Sequence, residues 1–198
     1  AWLVNHVGVA NLARTGARVV HISTDFVFDG CANRAYIESD LTNPQSVYGK
    51  SKLAGEKDLL EISPKSIVIR TSWLYSKVGN NFYTTMLKLG NKSSEIKVID
   101  DQYGSPTNAN DLAFVIASVI NNKDAFGLYH YANNGVCSWA EFAQRIMQHA
   151  NLDCKVLPIS TEEYTAVAKR PKFSPLNSLK ICNLLGIKNR YWFDSLEF

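Results

Sequence analysis

Two β-branched runs constrain this chain more than any other feature. Residues 17–24 (Ala-Arg-Val-Val-His-Ile-Ser-Thr) and 66–70 (Ser-Ile-Val-Ile-Arg) are short and apolar through the middle. Such runs read as strands covered on both faces, the pattern of a parallel sheet held between helices. Helix formers fill the second half of the stretch from Gln45 to Ile62, and Pro64 then interrupts. The alternation continues. Residues 2–14 read as a helix that stops near Gly16, and residues 80–89 as a helix with Phe82, Met86 and Leu89 on its apolar face. Ile96, Val98 and Ile99 make a short strand. Residues 110–121 have the clearest helical period, with Leu112, Val115, Ile116, Val119 and Ile120 on one face. Leu128 to Tyr131 and Lys155 to Ile159 read as strands. Ser138-Trp139-Ala140-Glu141 has capping-box spacing and opens a helix to about Ala150. Ser178 opens a short helix that Gly186 can stop. Strands alternating with helices imply an α/β layered sheet.

The glycines exclude two common nucleotide-binding devices. No two of the 11 are close enough to make GxG, GxxG or GxxxxGK, so the chain holds neither a dinucleotide fingerprint nor a P-loop. Charge excludes more. With 21 Lys+Arg against 18 Asp+Glu the net charge is +3, without the clustered basic stripe of a nucleic-acid binder. No apolar run approaches the ~18 residues of a membrane span. Cys31, Cys137, Cys154 and Cys182 form no CxxC pair and read as reduced thiols of a cytoplasmic protein. The histidines, His6, His21, His130 and His149, lack metal-ligand spacing and read as structural, so no metal is expected.

Chemistry concentrates in Tyr48-Gly49-Lys50-Ser51-Lys52. Tyr48 and Lys52 are four apart and share a helix face. An ammonium beside a phenol favours the phenolate, so the pair is expected to lower the Tyr48 pKa and to suit proton transfer at a carbonyl or hydroxyl oxygen. Alone the spacing is weak, because many helices carry a surface tyrosine and lysine four apart. Context adds weight. The first strand ends in Ser23-Thr24-Asp25, and ligands of open α/β sheets bind at such strand ends. Backbone capping by these three residues is an equal reading.

Three longer runs carry a resemblance. Residues 23–30 (Ser-Thr-Asp-Phe-Val-Phe-Asp-Gly), 48–56 (Tyr-Gly-Lys-Ser-Lys-Leu-Ala-Gly-Glu) and 70–75 (Arg-Thr-Ser-Trp-Leu-Tyr) closely resemble the dTDP-4-dehydrorhamnose reductase family, extended short-chain dehydrogenase/reductases. Gly79-Asn80-Asn81-Phe82, the run 101–107 (Asp-Gln-Tyr-Gly-Ser-Pro-Thr), Asp111-Leu112-Ala113 and Arg170-Pro171 extend it in order along nearly the whole chain. The resemblance implies the remainder of a doubly wound Rossmann-type parallel sheet with a small C-terminal substrate lobe. Residues 1–125 would belong to the NAD(P)-binding domain and 126–198 mainly to the lobe, with interleaved segments. It implies reduction of a nucleotide-linked 4-keto sugar with NADPH or NADH. Thr24 would hydrogen-bond the sugar oxygen and Tyr48 would protonate the carbonyl oxygen. Lys52 would hold the nicotinamide ribose and tune Tyr48. Trp73 would contact the substrate, and Asp25 would line the site with Thr24. Arg170 is open between a diphosphate contact and an anchor for its own irregular segment.

The chain departs from the family at Phe26, where tyrosine is usual, and at Ala35, where proline is common. The family's Gly-rich phosphate loop is absent, so the chain matches about the C-terminal two-thirds of such an enzyme and is not expected to be a competent reductase alone. An unpaired sheet edge is the expected consequence, covered by a second copy (a homodimer), a partner or further residues. Two other functions compete: a non-catalytic relative that regulates a partner enzyme, and a nucleotide-sugar epimerase or dehydratase sharing the Tyr-Lys chemistry. The trio Thr24, Tyr48 and Lys52 argues against the first, and the runs 24–30 and 70–75 against the second. Trp139, Phe142 and Ile146 read as a core-facing helix stripe, and Tyr191 and Trp192 as packing.

Overall fold

A computed structural model describes residues 1–164 and 170–197. The chain begins in a π-helical turn, Leu3–Val7, that runs into α1 (Gly8–Ala13). Strand β1 (Val20–Thr24) comes next, then a 3-10 turn over Asp25–Val27. Helix α2 (Val47–Ile62) is capped by the Ser46 side chain, which accepts from the Gly49 N–H. Strand β2 (Ile67–Thr71) is buried along its whole length.

Next come β3 (Leu74–Tyr75), α3 (Phe82–Gly90), β4 (Glu95–Ile99), β5 (Tyr103–Gly104), β6 (Thr107–Asn108) and α4 (Ala109–Asn121). The remainder is β7 (Gly127–His130), β8 (Cys137–Ser138), α5 (Trp139–His149), β9 (Lys155–Ile159) and α6 (Leu179–Leu185). The capping box expected at Ser138 and Glu141 is formed, and Gly186 ends α6 in the left-handed conformation. Residues 165–169 lie outside the described residues.

The main sheet is β1-β2-β7, parallel throughout, with Val20 opposite Ile67 and Ile67 opposite Gly127. Helices cover both faces, as the two buried runs require. On one side Val9, Ala13 and Leu59 of α1 and α2 pack on Val68. On the other, Leu112, Val115 and Val119 of α4 and Ile181 of α6 pack on Ile67 and Ile69. Fully burying one such side chain contributes about 1.5–3 kcal/mol. Among the described residues β1 pairs with β2 alone, so its outer flank is the unpaired edge expected from the sequence.

A second layer is built on the parallel pair β4-β9, with α3 and α5 packed on it. Its core joins Tyr83, Met86, Ile96 and Val98 to Phe142, Ile146, Val156 and Trp192. It therefore draws on segments from both sides of residue 125. Two small ladders, parallel β3-β6 and antiparallel β5-β8, were not legible as strands at two residues each.

Packing corrects several facial assignments. Ile120 is 55% exposed and Leu89 39%, while Tyr83 is buried. Each helix turns a narrower stripe inward than the full apolar run suggested. Trp192 is buried as expected, but Tyr191 is 40% exposed. All four cysteines are free; Cys31 is exposed and the other three are buried. No helix among the described residues is long and apolar enough to cross a membrane.

Candidate active site

The parallel strands β1, β2 and β7 end together, and the segments beyond those ends form the site. After β1, Thr24 and Asp25 enter the 3-10 turn, where the Thr24 hydroxyl accepts from the Phe26 N–H at 3.2 Å and donates to Asp25 Oδ1 at 3.1 Å. The first turn of α2 lies directly on this turn. A Cβ at Gly49 would fall 2.1 Å from the Phe26 carbonyl oxygen, so only glycine permits the approach that seats Tyr48. The Tyr48 ring meets Phe26 edge-on, with centroids 5.8 Å apart.

Tyr48, Lys52 and Glu56 succeed one another at four-residue intervals on α2 and serve different depths. Tyr48 is 46% exposed and faces a cleft of about 400 Å³, lined also by Phe26, Trp73, Gln102, Trp139 and Arg170. Lys52 turns to the sheet: its ammonium donates to the Ile22 carbonyl at 2.6 Å and to His21 Nε2 at 3.1 Å. Glu56 is buried. It accepts from Arg70 Nη2 at 2.7 Å, from Arg70 Nε at 3.1 Å and from the Ser23 hydroxyl. This buried pair pins α2 across β1 and β2.

The electrostatics correct one expectation. The Tyr48 phenol is held above its ordinary pKa, first by burial and then by the Asp25 carboxylate; its hydrogen bond with Thr24 works the other way. Lys52 is not among the causes; its ammonium is drawn away to the middle of β1. Burial also lowers the Lys52 pKa, partly opposed by Glu56. Burial and Lys52 push His21 down to about 4, so its neutral imidazole accepts from the ammonium. Asp25, fully enclosed, is pushed up to about 6 by burial, against the Ser174 and Thr24 hydroxyls. Neither Thr24 nor Asp25 lines the cleft; both lie beneath it, and the Tyr48 phenol connects Thr24 to it.

The opposite wall comes from distant segments. Trp73 comes after β2 at φ +46°, a left-handed backbone that costs a non-glycine residue about 1–3 kcal/mol and persists only when its surroundings enforce it. Its carbonyl accepts from the Thr107 N–H at 3.2 Å, and the neighbouring Ser72 hydroxyl donates to the Ser105 carbonyl at 2.8 Å. The indole lies against Gly104, where a Cβ would come within 2.4 Å of Trp73 Cε2. It stacks on Trp139 with centroids 3.5 Å apart and planes 7° apart. The Arg170 guanidinium stands 5.7 Å from the Trp139 centroid, which places this arginine at the cleft. Trp139 was expected in the core with Phe142 and Ile146. Those two are buried, but Trp139 is the first residue of α5 and half-buried in the cleft wall. The β5-β8 pairing that brings it beside Gly104 leaves no local sequence signal.

A parallel sheet clothed by helices on both faces, with tyrosine and lysine one turn apart beside a strand-end threonine, defines a short-chain dehydrogenase/reductase. Comparison with known proteins narrows the class. The RmlD substrate binding domain family matches residues 1–197. The spore coat polysaccharide biosynthesis protein SpsK of Bacillus subtilis is 42% identical over 201 residues, covering 100% of this chain and 70% of that protein. A dTDP-4-dehydrorhamnose reductase of Aggregatibacter actinomycetemcomitans is 38% identical, covering 100% and 72%. The crystal structure of dTDP-4-dehydrorhamnose reductase from Bacillus anthracis in complex with NADP superposes with a TM-score of 0.94 at 43% identity, covering 100% of this chain and 71% of that one. The chain belongs to the dTDP-4-dehydrorhamnose reductase (RmlD) family.

Proposed function

We propose that this chain carries the reducing site of a dTDP-4-dehydro-L-rhamnose reductase, which converts the 4-keto group to the hydroxyl of dTDP-L-rhamnose with NADPH or NADH in deoxysugar and surface-polysaccharide synthesis. The observation that carries the reading is the half-exposed Tyr48 phenol, hydrogen-bonded to Thr24 and facing Trp73 across one cleft. Two of the relatives carry this activity in their names, and one of them binds NADP.

Reduction of a ketone needs a hydride at carbon and a proton at oxygen. The nicotinamide, when bound, supplies the hydride. Tyr48 supplies the proton: a phenol is protonated at neutral pH, and burial here holds its pKa above the ordinary value. Thr24, beneath the cleft, fixes the phenol. The residues fit the nicotinamide half of the cofactor. Lys52 spends two ammonium protons on Ile22 and His21, which leaves one N–H for a ribose hydroxyl. No two glycines of this chain have the spacing of the Gly-rich turn that grips a pyrophosphate. Trp73 and Trp139 wall the sugar nucleotide, and Arg170 meets its diphosphate. The layer on β4-β9 is the substrate lobe, drawn from both sides of residue 125. The free thiols suit a cytoplasmic setting.

The test supplies dTDP-4-dehydro-L-rhamnose and NADPH to the protein carrying its pyrophosphate-gripping turn, and tracks the sugar product by NMR. One dTDP-L-rhamnose per NADPH consumed is expected. Oxidation of NADPH without that product, or neither, would contradict the reading. The chain of 198 residues alone should bind NADPH weakly and turn over little. Micromolar affinity with activity would mean the cofactor site is misplaced.

A further inference from the structure

The mechanism leaves one buried polar group in the cleft unused. Gln102 is 3% exposed and lines the cleft beside Trp73 and Trp139. Its Oε1 is buried and has no hydrogen-bond partner among the described residues. Such a group is costly to bury unless something satisfies it.

The amide's orientation is set by its neighbours. The Thr161 hydroxyl donates its single proton to Asp101 Oδ1. Asp101 also accepts from the Thr161 backbone N–H, at 2.9 and 3.1 Å to its two oxygens, and its carboxyl is held below the ordinary range mainly by these Thr161 bonds against burial. With its proton committed, Thr161 Oγ1 can only accept, and it accepts from Gln102 Nε2 at 3.0 Å. A flipped amide would set oxygen against oxygen. Asp101 and Thr161 thus lock Gln102 so that its nitrogen faces the 3-10 turn Thr161–Glu163 and its oxygen remains free.

We propose that Gln102 is a substrate-binding residue whose Oε1 accepts a hydrogen bond from an N–H or O–H donor of the nucleotide sugar. This rests on the reading of the cleft as the nucleotide-sugar site. The ligand has three sources of such a donor: the rhamnose ring hydroxyls, the 3′-hydroxyl of the deoxyribose and the imide N–H of thymine. All three dock as donors, and neither an ether oxygen nor an ionised phosphate could serve.

Calorimetric titration of the chain with two probes, dTDP-L-rhamnose and dTDP, tests the assignment. Gln102→Leu removes the acceptor at similar volume. Thr161→Val removes the lock while Oε1 is retained. A Gln102→Leu loss of roughly 3- to 10-fold, the worth of one neutral hydrogen bond, is expected. If the loss appears with dTDP-L-rhamnose but not with dTDP, the donor is a sugar hydroxyl. If it appears equally with both, the donor lies on the nucleoside, at the imide or the 3′-hydroxyl. Thr161→Val should weaken binding less than Gln102→Leu, whereas a purely structural Gln102 would give equal losses in melting temperature and none in affinity. Unchanged affinity for both probes in Gln102→Leu overturns the proposal while leaving the cleft's identity standing. Failure of wild-type chain to bind either probe overturns both.

Discussion

The two walls of the cleft are built on opposite principles. The wall bearing Tyr48, with Thr24 and Lys52 beneath it, uses one strand end and one helix, and its key pair lies a single helical turn apart. The facing wall gathers Trp73, Gly104, Trp139 and Arg170 from segments up to 97 positions apart in the chain, held by a strained backbone at Trp73 and a two-residue ladder. Local construction suits chemistry, which needs a proton donor fixed against a rigid sheet. Assembly from distant segments suits recognition, since each piece can vary without disturbing the sheet. If this division is right, damage to the first wall should lower turnover and damage to the second should weaken substrate binding.

The largest effect is expected at Tyr48. Tyr48→Phe deletes one hydroxyl and almost no volume, and should lower kcat by roughly 10²–10⁴-fold. Affinity for dTDP-L-rhamnose, read by titration, should stay nearly unchanged. Next is the support beneath the motif. Glu56→Ala leaves Arg70 buried without its counter-ion and should cost about 3–5 kcal/mol in denaturant unfolding. A loss under about 1 kcal/mol would mean that the pair does not pin α2. Lys52→Met removes a charge-assisted donor and should weaken NADPH binding by roughly 10- to 100-fold, with turnover falling alongside. Unchanged affinity together with an unchanged pH–rate profile would remove Lys52 from the site.

The pH dependence of stability is the subtlest comparison. Asp25 has a folded pKa of about 6 against an ordinary 3.8, so between those values the folded state binds more protons than the unfolded one. Its contribution is full at low pH and is lost as pH rises through about 6, by roughly 3 kcal/mol at about 1.4 kcal/mol per unit. His21 and His130, lowered to about 4 and about 3 by burial, run the other way and lose stability as pH falls below 6.5. Wild type minus Asp25→Asn isolates the first effect: the difference should slope between pH 4 and 6 and be flat above 7. A flat difference throughout would show that the carboxyl is not enclosed as described.

The legibility of the sequence obeys the same division. Strands β1 and β2, helix α2 and the caps at Ser138 and Gly186 were readable because each depends on a few neighbouring residues. The Tyr48-Lys52 pair was readable for the same reason. Its electrostatics were not: four-residue spacing puts both side chains on one face, but whether the ammonium meets the phenol depends on what β1 offers. Here the Ile22 carbonyl and His21 take it. Trp139 was misassigned because an apolar stripe at helical spacing continues to the helix end, and the stripe does not reveal that the end opens on a cleft. Gln102 carried no signal as a ligand group, since its orientation depends on Thr161, 59 positions away.

The division between the walls is tested most directly by measuring kcat and KM for dTDP-4-dehydro-L-rhamnose side by side in Tyr48→Phe and Trp73→Leu. Tyr48→Phe should lose kcat and keep its KM. Trp73→Leu should raise KM by about 10-fold or more, with kcat changed by a smaller factor. If Trp73→Leu lowered kcat as deeply as Tyr48→Phe at constant KM, or if Tyr48→Phe turned over at near wild-type rate, the assignment of chemistry to one wall and recognition to the other would be wrong.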